Sequence, residues 1–229
     1  MRAYCVYARP GLGFDERVFE KLKLNGIKFE YLNPIEPLKN ERIESYANRI
    51  SKRIEENSKD VVLIGHSFGG IIAQEIAKIR PIQKIILVSS IKSRKELPFH
   101  FKIVKPLQLH HFFSKKLTAK TIKYWGKYHD YATPEEQTLV KDMVTKHSNF
   151  YLQWALRQLS LWQTPKPDLE TKIFQIHGET DKTFPIKLIN RPNKRIPKAG
   201  HFMVFKQAAL INEVIETELK NKNGMQNRV

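Results

Sequence analysis

Apolar residues in this chain follow two alternating rhythms. Short runs rich in β-branched and aromatic residues at 3–8, 27–32, 61–64, 84–89, 172–177 and 193–196 predict strands. The run at 61–64 is wholly apolar, as in a central strand buried on both faces of a parallel sheet. Between these runs the period changes to that of a helix. Residues 16–24, closed by Asn25-Gly26, predict an amphipathic helix. Ile43, Tyr46, Ala47, Ile50 and Ile54 share a helical face, and Ile71, Ile72, Ile76 and Ile79 predict another helix, stopped before Pro81. Val204, Ala208, Ile211, Val214 and Ile215 mark a last one. Such alternation implies an α/β protein with a parallel sheet and right-handed crossovers.

The rhythm stops between residues 91 and about 167. All three tryptophans, Trp125, Trp154 and Trp162, lie there. Thr133-Pro134-Glu135-Glu136 predicts a capped helix start. Phe150, Leu152, Trp154, Ala155, Leu156, Leu159 and Trp162 predict a strongly apolar helix. A helical insertion is expected here, with most of its aromatic side chains used for packing.

Candidate chemistry enters at Gly65-His66-Ser67-Phe68-Gly69, a G-x-S-x-G pentapeptide between the apolar strand and the next helix. A nucleophilic serine at such a turn needs a strained backbone so that its hydroxyl stands clear of the sheet. Side chains two residues to either side would collide with neighbouring backbone, so Gly65 and Gly69 fit there. The helix beyond aims free N–H groups and a positive dipole end at the reaction centre. The plain alternative is a glycine-rich turn without chemistry.

Through Gly65-His66-Ser67-Phe68-Gly69-Gly70, the chain resembles small proteins of the α/β-hydrolase fold over residues 1–91 and 168–221. The resemblance implies a mostly parallel twisted sheet flanked by helices, with a helical cap over 92–167. The polar composition of the last residues predicts a disordered tail at 222–229. It implies a trimmed fold, because the family's first antiparallel strands have no counterpart. It also implies the chain order serine, acid, histidine. Ser67 is then the nucleophile. Asp181, in His177-Gly178-Glu179-Thr180-Asp181 with Pro185 four residues on, is the acid, and Glu179 is the alternative. His201, in Gly200-His201 before the final helix, is the base. Leu12 and Phe68 are the implied oxyanion-hole residues. The family's usual His-Gly in the first loop is replaced by Arg9-Pro10-Gly11. His66 and His177 are read as structural.

Composition changes the picture little. A chain of 229 residues with 41% hydrophobic content has enough apolar residues for a sizeable core. No run reaches the roughly 18–20 apolar residues of a membrane span. The first residues lack the apolar core of a signal peptide, so a cytoplasmic location is expected. Cys5 is the single cysteine and is read as a strand residue.

The net charge of +17 adds a question about partners. Basic residues thicken between 92 and 127, and 99–102 and 110–116 are basic and aromatic together. An interfacial membrane surface is one reading, and a solvated basic surface is the plainer one. No nucleic-acid motif accompanies the charge. His110-His111 lacks the carboxylate or cysteine partners of a metal site. Neither metal nor organic cofactor is expected, and nothing indicates an oligomeric state.

The expected function is hydrolysis of a small carboxylic ester or thioester through an acyl-enzyme. The same elbow also serves carbon–carbon bond hydrolases, lyases and perhydrolases, and a non-catalytic binding protein on this fold is the rival from another class.

Overall fold

Six strands pair into one sheet in the order β2-β1-β3-β4-β5-β6, and every pairing is parallel. The computed structural model describes residues 4–27, 29–56, 60–165 and 171–220. The strands are β1 Cys5–Arg9, β2 Phe29–Tyr31, β3 Val61–His66, β4 Lys84–Val88, β5 Lys172–Gly178 and β6 Lys194–Ile196. β3 and β4 lie mid-sheet and are buried at every position, which explains the apolar runs at 61–64 and 85–88. Their register sets Ile64 against Ile86 and His66 against Val88.

Helix α1, Ile43–Ser51, buries Ile43, Tyr46, Ala47 and Ile50 on one face, as their spacing requires. Helix α2, Phe68–Ala77, follows β3 after a single residue and is buried along its whole length. Right-handed crossovers place α1 and α2 on the same face of the sheet. On the other face the segment 16–25 meets α8, Ala208–Lys220, which follows the short α7, Met203–Lys206. Lys84 of β4 forms an ion pair with Glu218 of α8.

Residues 16–24 do not form the expected helix. A 3-10 turn covers Glu16–Phe19 only, started by Asp15, whose carboxylate accepts from the Arg17 amide and guanidinium. Beyond it the Lys23 and Asn25 amides donate to Asn212 Oδ1 and Glu216 Oε1 of α8. Val18, Phe19, Leu22 and Leu24 are still buried. Tertiary acceptors have replaced the intrahelical ones, and burial of the apolar side chains holds the segment in place.

Among the described residues, four α-helices occupy the interval between β4 and β5. They are α3 Phe99–Lys102, α4 Lys115–His129, α5 Pro134–Lys146 and α6 Asn149–Leu161. Helix α5 starts as its sequence predicts, with a capping box between Thr133 and Glu136 and Pro134 in the first turn. Helix α6 buries Tyr151, Leu152, Trp154, Ala155 and Leu159. The Trp154 indole N–H donates to the Glu41 carbonyl, and that of Trp162 donates to Glu75 of α2. The expected end of this insertion at 167 and the tail at 222–229 lie outside the described residues. Among the described residues no helix is long and apolar enough to cross a membrane.

Candidate active site

The strand order turns back on itself between β1 and β3, and both strands point their C-terminal ends at the same spot. In open α/β sheets such a switch point is where ligands bind. Ser67 stands there, between β3 and α2, with φ 52° and ψ −125°. A non-glycine residue held so is strained, and its surroundings hold it. The Ser67 amide donates to the Val88 carbonyl at 3.0 Å, and its own carbonyl accepts from the Gly70 amide at 3.0 Å and the Ser90 hydroxyl at 2.6 Å. The flanking glycines make the turn sterically possible. A Cβ on Gly65 would sit 2.3 Å from Gly70 Cα, and one on Gly69 2.1 Å from the Arg9 carbonyl oxygen.

His201 lies in the loop between β6 and α7, and Asp181 in the loop after β5. The fold brings them to Ser67. Ser67 Oγ is 2.9 Å from His201 Nε2, and His201 Nδ1 is 2.9 Å from Asp181 Oδ2. With Nδ1–H donating to the carboxylate, Nε2 is the acceptor for the serine hydroxyl. The other carboxylate oxygen, Oδ1, accepts from the Thr183 and Phe184 amides at 2.8 and 2.9 Å. Glu179, the alternative acid, is exposed.

The electrostatics follow from burial. Burial pushes the Asp181 carboxyl up, but the His201 imidazole and its hydrogen bond, His177 and the Phe184 amide outweigh it and hold the group below the usual carboxylate range. His177 sits 3.5 Å from Asp181 Oδ2 and donates Nε2–H to the Phe184 carbonyl at 2.7 Å. Burial lowers its pKa.

His66 is fully buried. Burial, and next the His201 ring, lower its pKa to about 3, so it is neutral. Its Nε2–H donates to the backbone carbonyl of His201 at 3.1 Å, which straps the histidine loop to the elbow.

The loop after β1 closes over the serine. A Cβ on Gly11 would lie 2.9 Å from Ser67 Cβ, so the backbone of 10–12 runs against Ser67. Phe14 packs against both the His66 and Phe202 rings. Leu12 is half-buried in this loop, and Phe68 opens α2, where first-turn amides lack intrahelical acceptors. Arg9 is buried beneath the loop. Its guanidinium donates to the Leu32 carbonyl at 3.0 Å and to the Tyr46 hydroxyl at 3.3 Å.

The helical segment reaches the site at several points. Val144 of α5 and Leu152 of α6 lie against Gly13, and Trp154 stands edge-on to Phe68. The end of α4 packs beside the loops that carry Asp181 and His201. His129 Nδ1 is 2.7 Å from the Thr183 hydroxyl, and its ring centre is 6.4 Å from that of His201. Burial, and next His201, lower its pKa to about 4. Asp130 accepts from the Gly200 amide at 3.1 Å. Sequence reading missed His129 and Thr183, because a lone histidine at a helix end carries no motif.

The sequence model of the alpha/beta hydrolase family matches residues 2–214. No curated protein matches the chain. Among solved structures, a thermophilic esterase superposes with a TM-score of 0.70 at 19% identity, over 94% of this chain and 89% of that one. An esterase from Exiguobacterium antarcticum gives 0.71 at 16% identity, over 94% and 92%. A hydrolase from Oleispira antarctica gives 0.74 at 14% identity, over 95% and 91%. At these identities the likeness is one of fold.

Proposed function

Because the chain belongs to the alpha/beta hydrolase family, we propose that it is a serine hydrolase that cleaves a carboxylic ester or thioester through Ser67, His201 and Asp181. One observation carries this reading. Three side chains from three separate loops stand in a single hydrogen-bonded row, with both links at 2.9 Å. The esterase folds that the chain resembles add to it.

Ser67 Oγ attacks the carbonyl carbon while its proton passes to His201 Nε2. Asp181 holds the imidazole in the required tautomer and stabilises its cation. The amides of Leu12 and Phe68 receive the oxyanion, each such donor being worth about 10²–10³ in rate. The imidazolium then protonates the leaving alcohol or thiol as the carbon–oxygen or carbon–sulfur bond breaks. Water, deprotonated by His201, cleaves the acyl-enzyme, releasing the carboxylic acid and free Ser67.

Residues 92–167 act as a cap on a core made of 1–91 and 168–221. Support comes from the side chains of α4, α5 and α6 that border the site. A cap so placed excludes water and shapes the acyl pocket. The substrate is a small molecule, and the steps above use only the chain's own side chains and backbone amides with water.

Turnover of p-nitrophenyl acetate and butyrate tests the reading. Ser67→Ala and His201→Ala are each expected to lower kcat by about 10⁵–10⁶ with the fold intact. Activity untouched by both substitutions would overturn it.

A further inference from the structure

Helix α4 buries only Ile122 and Gly126 of its fifteen residues. A helix on a globular protein normally hides an apolar stripe at least about 100° wide. Ile122 apart, the large apolar side chains of α4 point outward, and Leu117, Tyr124, Trp125 and Tyr128 are all exposed. Their spacing places them along one side of the helix. Lys116, Lys120, Lys123 and Lys127 run beside them at helical spacing, and Lys123 Nζ lies 4.9 Å from the Tyr124 ring centre. The preceding segment continues the pattern, with Phe99 and Phe112 each 74% exposed. Of the fourteen exposed large apolar side chains among the described residues, eight fall between 99 and 128. Residues 97–129 carry seven lysines and neither aspartate nor glutamate.

We propose that α4 and the segment 99–112 form a docking surface for an anionic lipid bilayer. Tryptophan and tyrosine settle at headgroup depth, while lysine stems lie along the apolar layer and carry their charge up to lipid phosphates. Lys115, Lys116 and Lys120 with Lys141 of α5 line a groove on the lysine side of α4, where headgroup phosphates are received. Duplex nucleic acid would engage the lysines and leave Leu117 and Phe112 idle. A protein partner would find lysine, which interface cores deplete, along the whole stripe.

The surface ends at the site. The Tyr128 hydroxyl donates to the Lys182 carbonyl in the Asp181 loop, and His129 flanks His201. Docking therefore turns this side of the site towards the bilayer. It rests on the surface alone and stands whether or not Ser67 is a nucleophile.

Flotation of the full chain with vesicles tests the proposal, using phosphatidylcholine alone or mixed with phosphatidylglycerol. Trp154 and Trp162 are buried, so a change in tryptophan emission on adding vesicles reports Trp125. The protein is expected to float with the anionic vesicles only, less so as salt rises, with emission blue-shifted and quenched by brominated lipid. Lys120→Glu, Lys123→Glu and Lys127→Glu together should weaken partition about 100-fold or more. Tyr124→Ala with Trp125→Ala should weaken it about tenfold or more while the unfolding midpoint is kept. No flotation at physiological salt would overturn the proposal, and so would flotation without an emission change. A blue shift on adding duplex DNA, or on concentrating the protein without lipid, would reassign the surface to nucleic acid or to a second copy.

Discussion

Asp181 shows how much one residue's surroundings decide. It is buried, which opposes its charge, yet two backbone amides and two imidazoles around it keep it ionised. Glu179 has the same chemistry two residues away and none of these partners. Asp181→Asn is expected to lower kcat about 10⁴-fold by favouring the wrong His201 tautomer, and Glu179→Gln to leave it within a few-fold. Steady-state kinetics of both variants decide between the two carboxylates, and the reverse ranking would refute the assignment. The row of Ser67, Asp181 and His201 was legible because each residue sits in a short pattern shared with the family that the chain resembles. Arg9 was legible only as a departure from the usual loop. That its guanidinium turns down to the Leu32 carbonyl and Tyr46 depends on elements brought together by folding.

Among the elements, the elbow was the most readable. Its strand, turn and helix follow one another with no intervening loop, so local sequence holds nearly all the information. Gly65 and Gly69 are required by contacts with backbone, which cannot move aside as a side chain can. Gly69→Ala would drive a methyl group to 2.1 Å from the Arg9 carbonyl oxygen. A loss of about 3 kcal/mol or more in unfolding free energy is expected, measured by urea denaturation. A wild-type midpoint would contradict the close approach.

The segment 16–25 is the opposite case. It was read as an amphipathic helix; its apolar side chains are buried, but its backbone partners are Asn212 and Glu216, about 190 residues further along the chain. No local pattern signals such acceptors. Helix α4 defeats periodicity in another way, because its apolar stripe faces outward.

At the scale of the whole molecule, burial of neutral histidines links stability to pH. His66 has a pKa of about 3 and His129 of about 4 in the folded chain, against 6.5 for free imidazole. Below pH 6.5 the unfolded chain takes up protons that the folded chain refuses, so stability falls as pH drops from there towards about 4. Asp181 acts further down. Its lowered pKa adds stability above the ordinary carboxylate value of 3.8 that is lost as pH falls through the folded value. The two histidines together give a slope of about 2–3 kcal/mol per pH unit. Urea unfolding near neutral pH and at about pH 5 should differ by about 3 kcal/mol, and equal stabilities would contradict the burial of both rings.

The overall architecture was legible because strand and helix periods alternate so regularly. The placing of the helical segment beside the row of Ser67, His201 and Asp181 was not, since it depends on His129, Leu152 and Trp154 meeting loops far away in sequence. The net charge of +17 says nothing about fold, and its concentration on residues 97–129 gains meaning only once α4 is seen to face outward.

The central claim is that the row of Ser67, His201 and Asp181 makes one hydroxyl nucleophilic. Incubating the intact chain with a fluorophosphonate probe and locating the adduct by mass spectrometry tests it most directly. The account predicts a single phosphonylated residue, Ser67, with labelling slowed by several orders of magnitude in His201→Ala. An unlabelled chain, or a Ser67 labelled equally fast without His201, would contradict it.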